Sequence, residues 1–406
     1  MADDRRPKEP QGLPEGWKWV KLGEVANLVK DISPAGSKPY LEIGDIDIHS
    51  KNYTIKEKGS PNHCIKAKRG NIVISKVRPT RGAISLIKEN FLYVSPAFSV
   101  LEADNSKFLF YSLSRRQFFN YLGALETGTT YPSVNDKDVM NYELPLPPLP
   151  EQRKITQILE TVDNAIEKTE KIIEKYKRIK QGLMQDLLTK GIDEKGNIRS
   201  EKTHKFKDSP LGRIPEEWEV VRLGEAFYIK AGGDINKLSY SDTKDERFKY
   251  PIFSNTLENK GLYGYSDKFT YPENCITITG RGTLGYAIPR FEKFNAIIRV
   301  LVLIPKFEIN IVFVSEYINN KINFVVESTG VPQLTAPKVA EYYIPLPPLS
   351  EQKRIAEILS QIDQAIEKEE KYKQKLERLK KGLMEDLLTG KVRVNKLLEG
   401  ENHETA

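Results

Sequence analysis

The sequence predicts an α+β protein in which two mixed α/β domains alternate with two long coiled-coil helices. Three observations predict it: a length of 406 residues, which suffices for about two or three domain cores, an internal duplication, and a heptad pattern at the end of each repeat. Because Gly (26) and Pro (24) occur at ordinary frequency, the chain is of the globular rather than the collagen-like or low-complexity class.

Composition and cysteine usage exclude several classes of protein. The net charge of +7, from 63 basic and 56 acidic residues, permits a polyanionic partner without requiring one. The N-terminal sequence MADDRRPKEP lacks the apolar segment of a secretory signal, and no apolar run is long enough to span a membrane. Cys64 and Cys275 lack the spacing of a metal site or a disulfide framework. We therefore expect a cytoplasmic protein with two reduced thiols.

The duplication is clearest in two segments of 45 residues. About 27 positions are identical between residues 145–189 and residues 345–389, at an offset of 200. A second pair, LPEGWKWVKLGE from Leu13 and IPEEWEVVRLGE from Ile214, repeats at an offset of 201. The chain is thus a tandem copy of a unit of about 200 residues.

The first mixed α/β domain is assigned to residues 1–150. Short apolar runs bounded by turn residues predict three strands, followed by a helix or long turn. These elements cover residues 71–77, 83–87, 91–101 and 108–122.

A basic patch lies within the first domain, since residues 51–88 contain ten Lys and Arg but only one acid, Glu57. The turn SKVRPTRG between two strands brings Lys76, Arg78 and Arg81 together, where guanidinium groups suit contacts with phosphates or guanine edges. The alternative is an ordinary solvated basic face, because lysine is mostly exposed in any protein.

A polar segment precedes the proline-rich stretch of each repeat. ETGTTYPSVN, residues 126–135, contains Thr129, Thr130 and Tyr131, and ESTGVPQLT, residues 327–335, contains Gln333. Such side chains suit hydrogen bonds to bases or phosphates, and an ordinary turn is the alternative.

Helix 1 is assigned to residues 151–190 and helix 2 to residues 351–392, with a C-terminal tail at 393–406. A mostly apolar heptad series, with Thr169 among its members, runs from Ile155 to Leu183 in a stripe wide enough to leave room for helices of another protein. Ser350 is the expected N-cap of helix 2. Gly182 and Gly382 interrupt strong helix patterns, which indicates close helix approach or, alternatively, fraying.

The second mixed α/β domain is assigned to residues 191–350. Its counterpart elements are three strands and a helix or long turn at residues 275–279, 285–289, 297–305 and 314–326. The turn TGRGTLG contains Gly280-x-Gly282-x-x-Gly285, which matches the dinucleotide-binding fingerprint. Because Tyr286–Pro289 cannot open the helix that such a site needs, we interpret the turn as a glycine-rich strand connection that carries Arg281 and Thr283.

These motifs resemble the specificity (S) subunits of type I restriction-modification systems over essentially the whole chain. The resemblance rests on P-L-P-P-L-x-E-Q, on G-L-M-x-D-L-L-T and on KFKDSPLGRIPEEW. They stand at Pro145–Gln152 and Pro345–Gln352, at Gly182–Thr189 and Gly382–Thr389, and at Lys205–Trp218.

The resemblance implies two target-recognition domains, each reading half of a split target in double-stranded DNA. Two antiparallel coiled-coil helices would separate them and relate the copies by a pseudo-twofold repeat. The family's S subunit is not catalytic: it docks type I methyltransferase (modification) subunits, which methylate adenine, and restriction/translocase subunits, which hydrolyse ATP.

The residue inventory fits a non-catalytic subunit. The sequence has no phosphate-binding P-loop and no [ND]-P-P-[YF] methyltransferase tetrapeptide, and its four histidines are scattered. We therefore predict no catalytic residue, no cofactor and no metal site. A stand-alone DNA methyltransferase or a protein-only coiled-coil scaffold remains the alternative. The candidate DNA-binding residues are Lys76, Arg78, Arg81, Thr129, Thr130, Tyr131, Arg281, Thr283 and Gln333.

Overall fold

The chain, seen in a computed structural model, is described for residues 12–34, 39–55, 63–325, 332–395 and 397. It divides into two units: unit 1 comprises the described residues of Met1–Glu170 and Lys371–Ala406, and unit 2 is formed in the same way from Lys171–Glu370. Each unit therefore contains one mixed α/β domain and half of each long helix. In the part of the chain described here, no helix is long and apolar enough to cross a membrane.

Unit 1 is built on two four-stranded sheets and a two-stranded ribbon. Its strands are β1 (Lys18–Lys21), β2 (Asn27–Leu28), β3 (Ile32–Ser33), β4 (Tyr40–Leu41), β5 (Cys64–Lys68), β6 (Ile72–Ser75), β7 (Ile84–Leu86), β8 (Phe91–Val94), β9 (Phe98–Glu102) and β10 (Glu143–Leu146). Its short helices are α1 (Leu22–Val25), α2 (Ser106–Leu113), α3 (Arg116–Leu125) and α4 (Asp136–Met140). The strand orders are β2-β9-β6-β7, β3-β5-β8-β4 and β1-β10.

Unit 2 repeats much of this plan. Its strands are β11 (Phe206–Ser209), β12 (Gly212–Pro215), β13 (Glu219–Arg222), β14 (Phe227–Ala231), β15 (Tyr250–Phe253), β16 (Leu262–Ser266), β17 (Cys275–Ile278), β18 (Ala287–Arg290), β19 (Asn295–Ala296), β20 (Leu301–Pro305) and β21 (Tyr343–Leu346). Its short helices are α6 (Leu223–Ala226), α7 (Ile311–Lys321) and α8 (Ala336–Ala340). The order β14-β20-β17-β18 matches β2-β9-β6-β7, and the ribbon β13-β21 matches β1-β10. The duplication thus extends into regions where the two sequences differ.

Two predicted strands are interrupted by turns. The run at 91–101 forms β8 and β9, because Phe98 N donates to Ser95 O at 3.0 Å and closes a turn between them. The run at 297–305 is a strand only from Leu301, since Ile298 and Arg299 have positive φ. The expected helix at 108–122 is likewise two helices, α2 and α3.

The long helices are α5 (Leu149–Leu187) and α9 (Leu349–Leu387), and they are antiparallel. In unit 1, Lys380 pairs with Asp163 at 2.6 Å. In unit 2, Lys180 pairs with Asp363 at 2.8 Å. A second pair in each unit, Lys373 with Glu170 at 2.7 Å in unit 1 and Lys177 with Glu370 at 2.9 Å in unit 2, gives the direction. Within each unit the paired residue number on α9 falls as the number on α5 rises, so the two helices run in opposite directions. Buried Ile155, Leu159 and Val162 lie on the predicted heptad stripe. The predicted architecture is confirmed.

A buried carboxylate explains the Glu of each P-L-P-P-L-x-E-Q motif. In unit 2, Glu351 accepts hydrogen bonds from Trp218 Nε1 at 3.1 Å, Ile192 N at 2.8 Å and Arg199 Nη2 at 3.1 Å. This cluster anchors the chain that leaves the C-terminal end of α5 to the first turn of α9, within one unit.

Unit 1 contains the equivalent cluster. Glu151 accepts hydrogen bonds from Trp17 Nε1 at 3.4 Å and Arg393 Nε at 3.3 Å. The two Trp–Glu–Arg clusters place repeated Trp and Glu residues in the same roles, whereas their arginines come from segments that do not repeat.

Two expectations about the long helices are wrong. Ser350 is not an N-cap, because α9 begins one residue earlier, at Leu349. Gly182 and Gly382 do not mark a close helix approach, because a Cβ added at either position would meet no described heavy atom within 4 Å. Both glycines are exposed on the helix surface.

Candidate nucleic-acid interface

The turn between β6 and β7 in unit 1 is fixed by the segment that precedes α4. Val134 N donates to Lys76 O at 3.0 Å, and Arg78 N donates to Pro132 O at 2.7 Å. Arg78 has a left-handed backbone, with φ of 48°, and a short 3₁₀ turn (Pro79–Arg81) follows it. These contacts bring together the two segments singled out in the first repeat.

The resulting surface joins an arginine to an exposed aromatic ring. The guanidinium carbon of Arg78 lies 5.6 Å from the centroid of the Tyr131 ring, and Tyr131 is 70% exposed. Arg81, Thr129 and Thr130 are also exposed. An exposed ring beside cationic groups suits stacking and phosphate contacts with nucleic acid.

Lys76 is placed differently from the two arginines. Its ammonium pairs with Asp136 at 3.1 Å, and its side chain is only 19% exposed. The carboxylate of Asp136 neutralises its charge locally, so Lys76 supports the turn rather than lying on its surface.

Lys51 supports the same turn through a contact with its last residue, Gly82. Its ammonium donates to Gly82 O at 2.8 Å and lies 5.3 Å from the Phe119 ring centroid. Burial lowers the pKa of Lys51 from its ordinary value. The basic patch is therefore partly structural, and its members Lys56 and Lys58 lie outside the described residues.

The corresponding turn in unit 2 is held in the same way. Leu334 N donates to Gly280 O at 3.0 Å, which is the equivalent of the bond between Val134 and Lys76. Gln333 Oε1 accepts from Arg281 Nη2 at 2.8 Å and from Arg281 Nε at 3.2 Å. The guanidinium plane of Arg281 is thereby fixed by Gln333. Residues 327–331 of the second polar segment lie outside the described residues.

The glycines of the unit 2 turn act as a strand connection. Gly282 and Gly285 have φ of 69° and 81°, and a Cβ at Gly285 would lie 2.4 Å from the Phe324 ring. A strand, β18, follows, rather than the helix of a dinucleotide site. Thr283 is exposed on this turn, and its carbonyl accepts a hydrogen bond from Thr279 Oγ1.

Sequence reasoning missed Asn255 and Arg290. Asn255 Oδ1 accepts from Gly280 N at 2.7 Å, although 25 residues separate them. Arg290 is buried, donates to Lys260 O at 2.7 Å and packs on Phe253, and burial lowers its pKa to about 9. A loop asparagine and an arginine at a strand end carry no sequence signal for such contacts.

Within the ranges that the structure describes, no group of three or more His, Cys, Asp or Glu residues is arranged to hold a metal ion. Cys64 and Cys275 are both buried. The candidate interface presents arginine, hydroxyl, amide and aromatic groups.

Comparisons with known proteins agree with this geometry. The type I restriction modification DNA specificity domain matches residues 14–178 and 215–378. The type I restriction enzyme MjaVIII specificity subunit of Methanocaldococcus jannaschii is 31% identical, with 96% of each chain covered. The putative type I restriction enzyme MjaX specificity subunit of the same organism is 33% identical, covering 75% of this chain and 72% of that protein.

A solved structure shares the fold. The type I restriction-modification S subunit from M. genitalium superposes with a TM-score of 0.63 at 19% identity, covering 94% of this chain and 98% of the other. The curated relatives are specificity subunits, a non-catalytic role in these systems. On the evidence of the matched domains and the 31% identity over nearly the whole chain, this protein belongs to the type I restriction-modification specificity subunits.

Proposed function

We propose that this chain is the DNA-recognition subunit of a cytoplasmic type I restriction-modification complex and that it binds a bipartite target in double-stranded DNA. Residues 1–150 and 191–350 would be the two target-recognition domains, each reading one half-site. Residues 151–190 and 351–392 would form the helical spacer that docks modification and restriction subunits.

The observation that carries this proposal is that the two units build equivalent turns with the same backbone contact but with different side chains. In unit 1 the turn that follows β6 bears Arg78 beside Tyr131. In unit 2 the turn that follows β17 bears Arg281 bound to Gln333. The same backbone hydrogen bond supports both turns. Equivalent positions with different side chains are what two different half-sites require.

Exposed apolar residues on the long helices support docking of partner subunits. Ile172 and Ile179 of α5 are 41% and 40% exposed, and Tyr372 and Leu379 of α9 are 50% and 51% exposed. The four form two equivalent stripes, at an offset of 200 residues. Apolar side chains repeated at seven-residue spacing on a helix surface suit a partner helix. We therefore infer one modification subunit per stripe.

The test is to express this chain with its modification subunit in a host that lacks other methyltransferases and to map methylated adenines. A split motif with two unlike halves is expected. A continuous motif would overturn the bipartite reading, and the absence of any sequence-specific methylation would overturn the recognition function.

The two alternative functions make different predictions. A stand-alone methyltransferase would methylate DNA without the modification subunit. A protein-only scaffold would show no specific DNA binding in complex with that subunit. We expect salt-dependent, sequence-specific binding of the complex.

A further inference from the structure

Strained backbone occurs beside the candidate turn of each unit. Among the described residues, seven that are not glycine have positive φ: Lys51, Arg78, Asn259, Lys260, Asn274, Ile298 and Arg299. Arg78 lies on the unit 1 turn, and the Lys51 ammonium contacts Gly82 of that turn. Ile298 and Arg299 lie beside the Arg281 turn of unit 2. Such strain costs free energy and persists only where the surrounding structure imposes it, and it clusters at functional sites.

Ile298 and Arg299 form the centre of a tight turn. Val300 N donates to Ile297 O at 3.2 Å, and the two central residues have φ of 54° and 63°. Positive φ at both central positions is typical of a type I′ turn, which favours Asn-Gly. A β-branched residue such as Ile is an outlier there. Local preference therefore does not explain this pair of residues.

Contacts from three other segments hold the turn. Asn255 Nδ2 donates to Ile298 O, and Ile298 N donates to Gly233 O at 3.0 Å. A Cβ at Gly280 would lie 2.6 Å from Arg299 O. The absence of a side chain at Gly280 thus allows the two turns to pack together.

The same asparagine also holds the Arg281 turn. Asn255 Oδ1 accepts from Gly280 N at 2.7 Å and from Arg281 N at 3.3 Å. One side chain thereby fixes Arg281 and Arg299 on adjoining turns.

The two arginines differ in how their guanidinium groups are held. Gln333 fixes the plane of Arg281 through two hydrogen bonds. Arg299 is exposed, and within the described part of the chain it has no hydrogen bond or ion pair of its side chain. The fixed guanidinium group of Arg281 suits hydrogen bonds to a base edge, whereas the unrestrained guanidinium group of Arg299 suits contact with a phosphate.

The geometry points to Arg299 as a second DNA-contacting residue of unit 2, which binds a backbone phosphate beside the base that Arg281 reads. Asn255 is the positioning residue that sets the two arginines side by side. This inference rests on the proposed function and adds to it a contact that the motifs do not indicate.

The decisive variant is Arg299→Gly, assayed in the complex with modification subunits on duplexes with and without the mapped target. Glycine relieves the strain, so the unfolding temperature of the chain is expected to rise. DNA affinity is expected to fall about tenfold on both duplexes, and the salt slope to fall by about one. A stability gain with an affinity loss cannot come from misfolding.

Asn274→Gly is the matched control. Asn274 also has positive φ, 58°, and it precedes β17, whereas the Arg281 turn follows β17. This variant should gain stability without losing affinity. Arg299→Lys retains the cation and should keep most of the salt slope. If Arg299→Gly binds both duplexes as tightly as wild type, the inference is overturned while the proposed function stands. If the wild-type complex shows no specific binding, both fail.

Asn255→Asp distinguishes the contact of Asn255 with the Arg281 turn from its contact with the Ile298–Arg299 turn. Aspartate still accepts from Gly280 N and Arg281 N, but it cannot donate to Ile298 O. Discrimination at the base read by Arg281 should persist, while the salt slope falls as in Arg299→Gly. Equal loss of discrimination and salt slope would contradict a positioning role that acts through two separate bonds.

Discussion

At the residue scale, Arg78 is the side chain of unit 1 that we propose to contact DNA. It lies on a fixed turn, beside exposed Tyr131, with its side chain close to a single backbone acceptor, Thr130 O, at 3.5 Å. We expect Arg78→Ala to weaken target binding by about 1–3 kcal/mol, and to relax selectivity at one position if it reads a base. Fluorescence anisotropy on matched and mismatched duplexes measures both effects.

Arg69→Ala is the control for this prediction. Arg69 is an exposed arginine of the same patch, but it precedes β6 whereas Arg78 follows it. The Arg69→Ala variant removes the same charge as Arg78→Ala and should leave the sequence selectivity of binding unchanged. Equal effects of the two variants would mean that the patch acts only through its net charge.

The sequence indicated the contacts of the candidate interface unevenly. Arg78 and Tyr131, and likewise Arg281 and Gln333, are neighbours on the candidate turns, and they could be singled out because a basic or glycine-rich turn and a polar segment stand out from apolar strands. The pairing of Lys76 with Asp136 could not be found, because it joins residues 60 positions apart through tertiary structure.

At the element scale, the Trp–Glu–Arg clusters should dominate local stability. Arg199 and Glu351 have side chains only 7% and 6% exposed. Arg199→Ala would leave a buried carboxylate without its cation, so we expect a loss of about 3–5 kcal/mol in the free energy of unfolding. In unit 1 the Glu151 side chain is also buried, at 5% exposure, but the Arg393 side chain is 28% exposed. Water can therefore reach Glu151 once Arg393 is shortened, so Arg393→Ala should cost less. Urea unfolding measures the free energy of unfolding of both variants. Equal losses in Arg199→Ala and Arg393→Ala would contradict the role of side-chain burial.

Gly182→Ala and Gly382→Ala test whether these glycines have a packing role on the surface of the long helices. Each position has room for a methyl group, so each variant should gain about 1 kcal/mol in the free energy of unfolding through helix propensity alone. Gly191→Ala is the contrasting change, because φ is 62° there and a Cβ would fall 2.1 Å from Glu351 Oε1. A loss of stability in either helix variant would show that the glycine has a packing role.

The elements that sequence reasoning placed correctly are those with strong periodicity. Heptads defined α5 and α9 to within a few residues, because the helix period is set by the chain itself. The split of 91–101 had a local signal in Ser95-Pro96. The turn at Ile298–Arg299 had none, because its conformation is imposed by contacts from Asn255, Gly233 and Gly280.

At the scale of the whole molecule, duplication predicts paired partner sites. Ile179 and Leu379 occupy equivalent positions on α5 and α9 and are both exposed. A glutamate in an apolar helix contact should cost about 2 kcal/mol or more of binding free energy, roughly 30-fold in affinity. Ile179→Glu and Leu379→Glu should therefore each release one modification subunit and leave the other bound.

Native mass spectrometry of the co-expressed complex measures this stoichiometry. We expect two modification subunits per chain in the wild type, one in each single variant and none in the double variant. Gln181→Glu and Lys381→Glu add the same acid two residues further along, about 200° around each helix, and should retain both subunits. A single variant that loses both subunits, or neither, would contradict two independent and equivalent docking stripes.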